Sequence, residues 1–131
     1  MPIVMNTILA LASGAAIGAT SRWLLGVILN PIFSSLSLGI LVANLLGGFL
    51  IGITLYLISI FPDMSEAWKL FFITGFLGSL TTFSAFSAEV FTLLYESKWW
   101  HALQISLLHL VGSIAMTALG FMTANFIKKV I

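Results

Sequence analysis

Gly75-Phe76-Leu77-Gly78-Ser79-Leu80-Thr81-Thr82-Phe83-Ser84-Ala85-Phe86-Ser87-Ala88-Glu89 is the stretch on which the fold turns. Two glycines, a serine and paired threonines fall near the middle of an apolar run that begins at Trp68 and ends at Tyr95. Glycine and β-branched threonine both weaken a helix. Small and polar residues followed by Phe83-Ser84 read as a helix restart, with Ser79, Thr81 or Thr82 as the N-cap. The run is therefore expected to be one membrane span, broken near its middle. Irregular backbone survives at membrane depth only where it is buried in protein or lines a cavity. Two readings fit: a kink packed against another helix, or an ion site. In the second, freed carbonyls hold a cation and the restarted N-terminus favours an anion.

The rest of the chain agrees with a membrane setting. It has 131 residues, which suggests one domain, 1–131. It is 60% hydrophobic and 7% charged, against roughly 25% charged in soluble domains, so it has too few charges to cover a water-exposed surface. Cysteine is absent, which excludes disulfides, thiolate zinc sites and cysteine nucleophiles. His101 and His109 are the only imidazoles, so no metal enzyme is expected, and no enzyme of any class. A net charge of +1 offers no field for nucleic acid.

A helix needs about 20 apolar residues to cross a bilayer. Four runs meet this, at about 3–29, 36–60, 68–95 and 99–127. Arg22 is the one charge in the first, which Asn30-Pro31 ends. The second has no charge, and Pro62-Asp63 closes it; beyond Lys69 at its start, Glu89 is the one charge in the third. Trp68, Trp99 and Trp100 sit at span ends, where amphipathic rings prefer the interface. Gly14 and Gly18, and Gly48 and Gly52, recur at four-residue spacing and let backbones approach. No basic segment precedes the first run, which reads as a retained span and not a signal. Lys69, Lys128 and Lys129 fall on one side, Lys98 and Arg22 on the other. So weak a bias allows insertion both ways, giving two opposite copies related by an axis in the membrane plane. A single orientation set by Lys128 and Lys129 is the other reading.

Few polar groups lie inside the spans. Phe83 and Phe86 are three apart and therefore neighbours on a helix. Phenyl edges carry positive potential, so the pair either packs or attracts an anion without binding it too tightly. Asn44 has two amide donors for an anion or for a neighbouring helix. Glu89 is costly at that depth and suggests function, although its sign is wrong for holding an anion directly. Arg22 lies near a span end, where it can snorkel or make a structural bond. Ser106, His109, Ser113 and Thr117 share one face of the fourth span. That stripe faces a wet path, or its hydroxyls bond back to their own helix.

The Leu80-Thr81-Thr82-Phe83-Ser84-Ala85-Phe86-Ser87 core, with its preceding glycines, resembles the Fluc (CrcB) family of bacterial fluoride channels. Arg22-Trp23, Val42-Ala43-Asn44-Leu45-Leu46-Gly47-Gly48, Gly112-Ser113 and Met116-Thr117 fit the same pattern. The resemblance covers essentially the whole chain. It implies an all-α membrane protein of four helices, the third broken, assembled as an antiparallel dual-topology homodimer in the bacterial inner membrane. It implies passive fluoride export through two pathways, acid having carried HF inward. By resemblance, Asn44 donates to fluoride and Phe83 and Phe86 present ring edges to it. Ser84, Glu89, Ser113 and Thr117 form a polar track, and Arg22 matches a family arginine. Carbonyls at Gly78 and Thr81 match those that hold a structural sodium ion at the dimer centre. Ile40, after Gly39, departs from relatives that often carry threonine there. With Asn44, Phe83 and Phe86 all present, a homodimer is expected and not a pair of degraded copies.

Two other classes compete. Small dual-topology, proton-coupled multidrug exporters share the size, but their coupling glutamate lies in the first span, where this chain has Arg22 and no acid. A packing subunit without transport leaves the break and the polar stripe without a shared explanation.

Overall fold

The computed structural model describes residues 1–131, and the chain is helical almost throughout. Helix α1 covers Pro2–Leu29 and continues into a 3-10 turn, Asn30–Ile32. Helix α2 covers Leu38–Ile60. The third span runs through α3 (Glu66–Lys69), a π-helix (Leu70–Leu77), α4 (Gly78–Leu80) and, after the break, α5 (Phe83–Tyr95). Helix α6 covers Trp99–Val130. Four segments are long and apolar enough to cross a membrane: Pro2–Ile32, Leu38–Ile60, Glu66–Tyr95 and Trp99–Val130. They match the expected spans to within a few residues.

Only 19 of the 131 residues are buried. A water-soluble chain of this size could not leave so much apolar surface open, so the lipid, or another protein, must cover it. Helix α2 is the central element: 39% of its apolar window is buried, against 11–22% in the other spans. Glycines set how closely it packs on α6. A Cβ built at Gly48 would meet the Ser113 carbonyl, one at Gly52 would fall on that of Thr117, and one at Gly120 on that of Phe49. On the other flank, Gly14 and Gly18 are the buried residues of α1. They lie directly against the carbonyls of Phe71 and Phe76. Backbone thus packs on backbone, as small residues allow in membranes.

The break falls where the composition places it. Thr81 (φ −84°, ψ 156°) and Thr82 (φ −151°, ψ 113°) are both extended. Of the three expected caps, Thr82 serves: its Oγ1 accepts from the Ala85 amide at 3.1 Å. The π-helix before the break was not expected. Such a run of i→i+5 bonding is rare, and here it is the stretch docked against Gly14 and Gly18. At the far end of α5, Ser97 adopts φ 60°. Its amide donates to the Leu94 carbonyl (3.0 Å), and that of Lys98 to Leu93 (2.8 Å). This left-handed cap closes the helix and turns the chain into α6.

Candidate functional site

Breaking a helix frees carbonyls and amides, and their new partners define the site. The Thr82 amide turns away from Gly78 and donates to Asn44 Oδ1 at 2.8 Å. Asn44 Nδ2 donates back to the Thr82 carbonyl at 3.2 Å, so one side chain of α2 brackets the extended residue. The Ser79 carbonyl accepts from Arg22 Nε at 3.1 Å. Arg22 therefore makes a structural bond to the break. The Thr81 amide and hydroxyl both donate to the Leu77 carbonyl, at 3.0 and 2.9 Å. The Thr81 carbonyl itself accepts no hydrogen bond, and neither following amide returns to Gly78. Oxygen atoms so freed are the donor type hard cations take, and the residues at this break fit a cation on that ground.

A cavity of about 460 Å³ opens beside the break, between α2, the two halves of the third span and α6. Asn44, Gly78, Thr81, Phe83, Phe86 and Ser113 line it. Phe83 is 72% exposed and Phe86 only 7%, so the two rings differ in surroundings although they meet edge to face, 5.5 Å apart. No lysine or arginine lines this space.

The remaining expected residues lie elsewhere. Ser84 bonds to the Thr82 hydroxyl at 3.2 Å, away from the cavity lining. The Thr117 hydroxyl bonds back to the Ser113 carbonyl, and that of Ser106 to Ala102. For these two the stripe is self-bonding, while His109 and Ser113 face the cavity. Glu89 lines a second cavity, of about 590 Å³, roofed by residues 33–37. Its Oε1 accepts from the Ser37 amide at 3.0 Å, and its Oε2 is buried without a partner. Ile40 shares that cavity; it has no hydroxyl to offer the carboxylate.

His109 enters the site more deeply than its residue type suggests. It is 3% exposed, and its ring stacks on Phe86 at 4.7 Å. Its Nδ1 lies 3.0 Å from Asn44 Nδ2. The only sequence signal was its place on one helical face with Ser113.

Four apolar spans, the third interrupted and bordered by a cavity at the interruption, define a small multi-pass membrane protein. The family model described as "CrcB-like protein, Camphor Resistance (CrcB)" matches residues 9–121, and the chain belongs to that family. Among its relatives is a "Fluoride-specific ion channel FluC" of Haemophilus influenzae (strain PittEE). It is 50% identical over 116 residues, covering 88% of this chain and 91% of the relative. The protein of the same name from Pasteurella multocida is 55% identical over 117 residues, covering 89% and 91%. That from Mannheimia succiniciproducens is 46% identical over 126 residues, covering 96% and 99%.

Proposed function

We propose that this protein is a fluoride-selective channel that lets fluoride leave the cytoplasm passively, working as an antiparallel homodimer with two pathways. The observation that carries the reading is the cavity at the break, which combines amide and hydroxyl groups with phenyl rings and has no fixed positive charge. Such a lining replaces part of an anion's hydration and still lets it go. Asn44 and Ser113 supply the donors, and Phe83 and Phe86 supply positive ring edges. Glu89 stands in the second cavity, one turn along α5, and Ser84 and Thr117 flank the path.

The homodimer reading is supported by the open face at the break. Phe83 is largely exposed there, and the Thr81 carbonyl has no partner. A second, inverted copy on that face would cover both. Bound between the copies, sodium would supply a fixed positive charge where carbonyls otherwise stand unpaired. The Gly78 and Thr81 carbonyls are the groups that would hold it. Arg22 and Asn44 keep the neighbouring carbonyls occupied, which leaves those two available.

Efflux from liposomes tests the function. Reconstituted protein should release fluoride rapidly, with little chloride loss and no dependence on a proton gradient. Export that requires a proton gradient, or moves organic cations, would point to the exporter class. A folded, reconstituted dimer that passes no fluoride sinks the proposal.

A further inference from the structure

We propose that His109 is a pH-dependent latch on Asn44: neutral, it occupies an amide hydrogen that the pathway needs, and protonated, it releases it. The inference rests on the reading of Asn44 as an anion donor.

The bonding pattern assigns every polar atom of the pair. The Thr82 amide can only donate, so the Asn44 atom it meets at 2.8 Å is the oxygen. The amide nitrogen then faces the other way, toward the Thr82 carbonyl at 3.2 Å and His109 Nδ1 at 3.0 Å. Asn44 has two N–H groups, and both are engaged. Because Nδ2 donates, His109 Nδ1 must hold a lone pair, which puts the proton of the neutral ring on Nε2. Nε2 is buried and has no partner. The ring is therefore anchored by Asn44 through Nδ1 and by stacking on Phe86.

Imidazolium carries hydrogens on both nitrogens. Nδ1–H would then face the Asn44 N–H, donor against donor, and the contact could not persist. One amide hydrogen and the Nδ1–H become free at the cavity both residues line. An acceptor-only ion such as fluoride takes both. Ring protonation and anion entry thus favour each other by linkage. His109 acts here as a positioning residue for the Asn44 donor.

Helix α6 packs against α2 and α5. Helix α2 carries no charged side chain, and its titratable Tyr56 packs on Phe121. Helix α5 brings Glu89 within Coulombic reach of His109, tied at Oε1 to the Ser37 amide; its Tyr95 is exposed at the helix end. On α6 itself, His101 bonds to the Ser35 carbonyl. Arg22 of α1 is held at Ser79. His109 is thus the one imidazole in contact with the proposed donor.

The experiment is fluoride efflux from liposomes holding the full-length protein, at equal pH on both sides, between pH 5 and pH 8. HF leak from protein-free vesicles is subtracted. Wild type should rise about threefold or more toward the acid end, where histidine gains its proton. His109→Asn keeps an acceptor oxygen for Asn44 and cannot titrate, so its flux should be flat in pH and as low as wild type at pH 8. His109→Ala removes the acceptor, so its flux should be flat and high. Wild-type flux that does not vary with pH overturns the latch and leaves the channel reading intact. A pH dependence that survives in His109→Asn does the same. No fluoride flux from wild type at any pH overturns the channel reading and the latch with it. Nitrogen NMR of histidine-labelled dimer reads the ring directly: His109 should carry its neutral proton on Nε2, and a proton on Nδ1 would end the proposal without reference to flux.

Discussion

Phe83 and Phe86 are neighbours on one turn, yet substitution should separate them. Phe86 is buried against His109, and Phe83 is open to whatever covers the break. Phe86→Ile removes a ring from a packed site and is expected to lower flux at least tenfold, with about 1–2 kcal/mol lost from the fold. Phe83→Ile should lower flux comparably with almost no change in the stability of the single chain. Efflux rates and denaturant titration of the purified protein check both. Wild-type flux in either variant would reduce that ring to packing. Asn44→Ala strips the Thr82 amide of its partner, an unsatisfied group worth about 1–3 kcal/mol, and should lower flux as well as stability. A thermal melt matching wild type would show that another group takes over the Thr82 amide. At this scale the sequence was half legible. The phenylalanines and Asn44 announce themselves as interruptions of pattern. Their partners do not, because the Asn44–His109 contact joins residues far apart in the chain and depends on how α2 and α6 meet.

Among the elements, the glycines divide by what surrounds them. A Cβ at Gly52 would fall on the Thr117 carbonyl, and backbone cannot rotate aside as a side chain can. Gly52→Ala is expected to force α2 from α6 and cost about 1–3 kcal/mol. Gly26 has only the Asn30 amide at 3.4 Å, so Gly26→Ala should be neutral or slightly stabilising, as alanine favours helix. Equal losses in the two variants, measured by unfolding in detergent, would refute this account of the packing. Ser97→Gly offers the opposite sign. Its φ of 60° is strained for a residue with a Cβ, and relief should add about 0.5–1 kcal/mol, read as a raised melting temperature. Element identity was the most legible level, since apolar runs and their punctuation mark four spans, a break and three candidate caps, among them the Thr82 that serves. The π-helix was not legible. Its bonding has no residue preference strong enough to see, and it coincides with the stretch whose carbonyls abut Gly14 and Gly18 on another helix.

For the whole molecule, the open face at the break should become visible as assembly. If Gly78 and Thr81 hold sodium between two copies, replacing sodium with a large organic cation on both sides should weaken the dimer and depress fluoride flux together. Dimer stability indifferent to that exchange would remove support for the central ion. The break also has a history. Unpaired backbone in hydrocarbon costs several kcal/mol per group, so a newly inserted third span has reason to remain one continuous helix. Its Thr82 amide can leave the ladder only when Asn44 is there to receive it, and its Ser79 carbonyl only when Arg22 is. Both receivers belong to spans that are synthesised earlier. The interruption is then a product of maturation, created by docking onto α1 and α2, and it should be absent from the third span made alone. Amide exchange on that isolated segment in lipid would show an unbroken ladder through Thr82 if this order holds, and an open one if the break is intrinsic.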